Sequence, residues 1–232
     1  MAFKRLVPVM AGLLLACAAL WAADSASFVD LGFSPDGKIY MFAQYGVKSN
    51  NLRPWADLFL VDVAKNDFVP EGRILYTHDS PILAGQDGSG VLHHLVMKNS
   101  SLAKKYQLEY PNQGQPLYIA LDGDPAYKGD TITFRDFTSG ILYRASVLET
   151  MSGTGKNQKS SFYINLELIY GNGEEKNFRV GSPEIQRSLI TSYRIKKALI
   201  SPDGNSLIFV IEMKRSGDSG PDIRYMVEAI RF

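Results

Sequence analysis

The tetrapeptide Ser-Pro-Asp-Gly occurs twice, at residues 34–37 and 201–204, each time ahead of an apolar run. Every position suits a tight turn. Ser34 and Ser201 fit the first place, Pro35 and Pro202 fix φ at the second, and Asp36 and Asp203 fit the third. Gly37 and Gly204 take the place where positive φ is needed. Residues 28–31 and 39–42 flank the first turn, and residues 193–200 and 206–211 flank the second. Both pairs read as strands, so each unit is a β-hairpin. A further strand follows each, at residues 57–63 and 222–227. The chain thus contains two copies of one strand–turn–strand–loop–strand unit. Near-continuous apolarity in these strands predicts burial on both faces.

Between the copies, Leu92, Leu95, Val96, Leu102 and Tyr106 recur at helical spacing within residues 88–106. This predicts one helix, or two broken near Asn99. Residues 117–121, 131–137 and 141–148 read as strands. Phe162, Ile164, Leu166 and Leu168 alternate with Tyr163, Asn165 and Glu167, the mark of a half-buried strand. Gly171-Asn172-Gly173 turns it into a partner ending at Val180. Residues 152–161, rich in Gly, Ser and Lys, read as a loop. The expected fold is mainly β (α+β), with antiparallel sheets, two Ser-Pro-Asp-Gly hairpins and one inserted helical segment. A small or incomplete β-propeller is the alternative, although stacked arrays normally show more than two repeats.

The N-terminus points to export. Lys4 and Arg5 precede an apolar run over residues 6–23, as in a secretory signal. Small residues at Ala23 and Ser25, and again at Ser25 and Ser27, offer cleavage sites. Leu14-Leu15-Ala16-Cys17 also fits a lipoprotein signal, with Cys17 as the lipidation candidate, and an uncleaved anchor is a third possibility. Residues 24–232 are then expected to form a single β-rich domain in the periplasm, envelope or extracellular space. Setting aside Lys4 and Arg5 leaves 23 basic against 24 acidic residues. Such a balance does not suit nucleic acid as a partner, and it leaves the membrane reachable only through the N-terminal signal or a lipid anchor. One cysteine precludes an internal disulfide.

The order Phe33-Ser-Pro-Asp-Gly37, Tyr45-Gly46 and Ala56-Asp-Leu-Phe-Leu-Val-Asp-Val63 resembles a family of predicted secreted bacterial proteins of unknown function. The helical segment and the closing Gly220-Pro-Asp-Ile-Arg-Tyr225 resemble that family too. Residues 107–192 match little of it. More distantly, the Ser-Pro-Asp-Gly strands resemble TolB-type propeller blades. The resemblance implies export and carries no biochemical activity.

Motifs suggestive of catalysis fail on inspection. Gly217-Asp218-Ser219-Gly220-Pro221 resembles a serine-protease nucleophile loop, but no histidine sits in the required setting. His78-Asp79-Ser80 are neighbours whose side chains diverge. His93-His94 lack the i, i+4 spacing of a zinc pair, and are expected to be one packed and one solvent-facing. Asp122, Asp124 and Asp130 lack the spacing of a calcium loop. Gly153-Thr154-Gly155-Lys156 lacks the strand–loop–helix setting of a phosphate loop. No metal or cofactor is expected.

What remains is a non-catalytic binding module. Its expected surface combines Tyr45, Arg53 and Trp55 of the first long loop with Lys214, Arg215 and Asp218 of the second, residues 214–221. Aromatic and arginine side chains are the usual anchors of such surfaces, and a protein or glycan of the envelope is the expected partner. The alternative is a carboxylate-dependent hydrolase acting on an envelope or extracellular glycan, drawing two carboxylates from Asp36, Asp57, Asp62, Asp122 and Asp124.

Overall fold

The computed structural model describes residues 24–83, 85–108, 112–121, 131–217 and 220–232. Cys17, Asp122, Asp124, Asp130, Asp218 and Ser219 lie outside these. Thirteen strands form three antiparallel sheets among the described residues. The first sheet is a meander of β1 (Ser27–Phe33), β2 (Ile39–Val47), β3 (Pro54–Asp62) and β4 (Asp67–Thr77). Two short helices follow, α1 (Ser89–Lys98) and α2 (Ser100–Lys105), split at Asn99. β5 (Gln115–Ile119) then crosses to the middle sheet. The third sheet comprises β6 (Ile132–Arg135), β7 (Leu142–Ser152), β8 (Lys159–Ile169), β9 (Glu175–Val180) and β10 (Arg187–Ser188). The chain returns through β11 (Ile190–Ile200), β12 (Ser206–Gly217) and β13 (Gly220–Arg231) to complete the middle sheet in the order β13-β12-β11-β5.

The continuous apolar runs are explained by stacking. In β12, Leu207, Phe209 and Ile211 pack toward the third sheet, while Ile208 and Val210 pack toward the first. In β2, Tyr40 and Phe42 face the middle sheet, while Met41 and Ala43 face the helices, where Leu92, Leu95 and Leu102 cover them. A period of two thus feeds two cores from one strand. β8 behaves as its alternation predicts. Phe162, Ile164, Leu166 and Leu168 are buried, and the opposite face carries the Arg144–Glu167 ion pair at 3.1 Å. With helices on one side of the stack and a polar face on the other, no closed barrel or propeller forms among the described residues.

The two Ser-Pro-Asp-Gly turns have nearly the same hydrogen bonds. The amide of Gly37 donates to the carbonyl of Ser34, and that of Gly204 to Ser201, both at 2.9 Å. Their φ values are +66° and +72°. The turns also touch each other. The Ser206 hydroxyl donates to the Gly37 carbonyl at 3.0 Å, and a Cβ on Gly37 would lie 2.6 Å from an Asp203 oxygen. The repeats therefore stack sheet on sheet with their turns in register at one end. A second tie joins all three sheets. Buried Glu228 of β13 pairs with Arg187 of β10 at 3.5 Å and accepts a hydrogen bond from Asn66, in the β3–β4 turn.

Of the segments read as loops, residues 214–217 and 220–221 are strand, whereas residues 152–161 remain a loop over 153–158, with a 3-10 turn at Gly155–Asn157. Residues 214–217 and 220–221 continue the β12–β13 ladder out to Gly217 opposite Gly220. Residues 152–161 form a tight connection, since β7 and β8 pair to their ends, Ser152 opposite Lys159.

Candidate functional site

The β2–β3 and β12–β13 hairpins both run away from the paired turns toward the opposite pole, where Arg224 of β13 lies over Trp55 of β3. There a cleft of about 270 Å³ opens between the first sheet and the edge strand β13, lined by Lys48, Trp55, Asp57, Leu75, Tyr76, Thr77 and Arg224. Trp55, Asp57, Leu75 and Thr77 reach it for one reason. Asp57 pairs across with Leu75 and Trp55 with Thr77, and alternation along β3 sets Trp55 and Asp57 on the face shared with Phe59, toward the middle sheet.

Trp55 is buried, only 4 % exposed, and so is not an open-loop anchor. The guanidinium of Arg224 lies 4.2 Å from its ring centroid and covers it. A cation over an indole face contributes roughly 0.5–2 kcal/mol. Arg224 is itself held by Asp222 at 3.1 Å and Asp24 at 3.9 Å, and donates to the Asp24 carbonyl at 3.0 Å. Burial pulls the pKa of Arg224 below its usual value and raises that of Asp222, against the opposing pull of their mutual attraction. Burial likewise raises Asp57 to about 6, although a hydrogen bond from Gln44 at 3.1 Å and the charges of Arg224, Arg73 and Lys48 oppose it. The Gln44 side-chain oxygen in turn accepts the Tyr225 amide at 2.8 Å, tying the cleft floor to β13. The site therefore presents a carboxylate that changes charge near neutrality beside two cations.

The other expected binding residues fall around this cleft in different roles. Tyr45 lies on the helix face of β2, packed against the core between the first sheet and the helices. Arg53 is a strap. It donates to the His78 carbonyl at 2.9 Å and pairs with Asp79 at 2.6 Å, fixing the β2–β3 loop to the segment after β4. Lys214 and Arg215 are exposed on the β12–β13 arm just beyond Arg224, opposite Ile223 and Asp222. Sequence reasoning placed Lys48 in the first candidate loop and met Arg224 only in the closing Gly220–Tyr225 element, and it did not assign Leu75, Tyr76 or Thr77 to a site.

The catalytic candidates disperse. Asp36 caps its own turn through Ser34 at 2.7 Å, and Asp62 pairs opposite Ile39, near that same turn and away from Asp57. His78 contacts Ser80 locally. His93 and His94 are both exposed, so neither is packed in a core, and the His94 ring lies 5.9 Å from that of Tyr76. No group of three potential metal ligands occurs among the described residues, and no helix there is long and apolar enough to cross a membrane.

Neither the curated proteins nor the solved structures contain a match to this chain. A family model for predicted secreted proteins matches residues 41–231. The match begins inside β2, so it omits the first Ser-Pro-Asp-Gly turn and includes the second. It also runs through residues 107–192, where the sequence alone offered little to compare. With most of its length covered, from β2 to the end of β13, the chain belongs to DUF2259, a family of predicted secreted proteins.

Proposed function

We propose that the protein is a non-catalytic binding module of the cell envelope or secreted fraction, and that its cleft takes one sugar unit of an envelope glycan. The observation that carries this is the cleft's size and lining. At about 270 Å³ it falls just below the usual range for small-molecule pockets, roughly 300–1,000 Å³, and so suits one unit of a larger ligand. Asp57 accepts from sugar hydroxyls, Lys48 donates to them, and Leu75, exposed at 56 %, offers an apolar rim to a ring face. Lys214 and Arg215 extend the surface along the neighbouring arm.

Glycan hydrolysis by paired carboxylates is the second reading, and it has less support. Asp57 is the one carboxylate lining the cleft among the described residues, and it faces cations rather than a second acid. Sedimentation with purified peptidoglycan and a glycan array test the binding reading. The wild type is expected to bind, and Asp57→Asn with Lys48→Ala to lose at least tenfold in affinity while keeping its circular dichroism. Equal binding by wild type and variant overturns the assignment of the cleft. Release of reducing sugar by the wild type, abolished in Asp57→Asn, replaces it with the hydrolase.

A further inference from the structure

The segment just after the apolar N-terminal run is built into the fold, and this bears on where the exported chain is cut. Residues 24–26 run beside β13. Ala26 donates its amide to the Ile223 carbonyl at 3.1 Å, and Ile223 donates to the Asp24 carbonyl at 2.9 Å, with Ser25 bridged in parallel to Ile223. Ala26 is buried, 5 % exposed. The Asp24 side chain accepts the amide of Ser49 in the β2–β3 loop, and the Asp24 carbonyl accepts from Arg224. One residue therefore ties together the first sheet's hairpin, the middle sheet's edge strand and the cation that covers Trp55.

We infer that export processing leaves Asp24 on the mature chain, so that cleavage falls upstream of it and not after Ser25 or Ser27. A cut after Ser25 removes Asp24 and, with it, the acceptors of Ser49, Ile223 and Arg224. A cut after Ser27 also removes Ala26 and the first residue of β1. Unpaired backbone groups and a half-freed buried guanidinium are costly to leave behind. The sequence Leu14-Leu15-Ala16-Cys17 supplies a site upstream, and a cut before Cys17 leaves residues 24–26 intact. Residues 17–23 then precede Asp24, and seven residues reach at most about 25 Å. If Cys17 is held at a membrane, the cleft beside Asp24 stays within that reach of its surface.

The experiment is intact mass and N-terminal sequencing of the processed full-length protein from a bacterial envelope fraction. A mature chain beginning at or before Asp24 is expected. A chain beginning at Ser25, Ala26 or Phe28 overturns the inference. A second measurement isolates the role of residues 24–27. Chains produced to begin at Asp24 and at Phe28 are melted in parallel, and the shorter is expected to show a lower Tm and a larger change in Trp55 fluorescence on adding iodide. Equal Tm and equal quenching overturn it. Neither readout depends on glycan binding, so the result stands apart from the proposed ligand.

Discussion

At the scale of single residues, Gly37 and Gly204 look interchangeable in sequence and differ in the structure. Both have positive φ, but a Cβ at Gly37 meets Asp203, whereas at Gly204 nothing lies within 4 Å. Gly204→Ala is therefore expected to cost about 1 kcal/mol, from backbone conformation alone. Gly37→Val adds a collision with the partner turn and is expected to cost roughly 2–4 kcal/mol. Urea unfolding of both variants checks the order, and equal losses contradict turn-to-turn packing. Asp57 carries a pH signature. Its folded pKa, about 6, lies above the usual 3.8. The folded form thus keeps a proton that the unfolded chain releases. The stability this adds is complete below about pH 4, falls as pH rises through 6, and is absent above. The amount is on the order of 3 kcal/mol. Asp57→Asn should lack that component, so the stability difference between wild type and variant should change by this amount between pH 4 and 7. A constant difference counts against a buried Asp57.

At the scale of elements, what the sequence revealed depended on how local the cause was. The Ser-Pro-Asp-Gly turns, the alternation of β8 and the two-faced apolarity of β2, β3 and β12 all arise from neighbouring residues, and all were legible. β4 was not. Pro70 and Gly72 interrupt its sequence, and Glu71 has φ of +64°, so it carries no clean period of two. Yet β4 contributes Leu75 and Thr77 to the cleft. The β12–β13 arm was misread because its residues are polar. Lys214, Arg215, Ser216 and Gly217 are all exposed and are strands only because each hairpin limb pairs with the other. Trp55 was misread for a related reason. It follows a polar loop and has no local sign of burial, and its cover, Arg224, arrives from the far end of the chain.

At the scale of the whole molecule, the chain order and the layer order disagree. The first and third sheets are made from residues that precede β11, but the sheet between them is finished only by β11, β12 and β13. Until those strands arrive, Phe33, Tyr40, Phe42 and Phe59 on one side, and Phe162, Ile164 and Leu166 on the other, lack most of the facing sheet that buries them. A chain ended after Asn205 is therefore expected to lack cooperative unfolding and to bind a hydrophobic dye, whereas a sharp melt would show that the outer sheets stand alone. A protein of this family that leaves the cell interior N-terminus first delivers its keystone last. For most of its passage it is two sticky, unfinished slabs, at risk of self-association. Completion waits on distant contacts that close slowly. The interval between emergence of the first hairpin and emergence of the last is when such a chain most needs an escort, and residues 190–232 decide whether the rest was worth exporting.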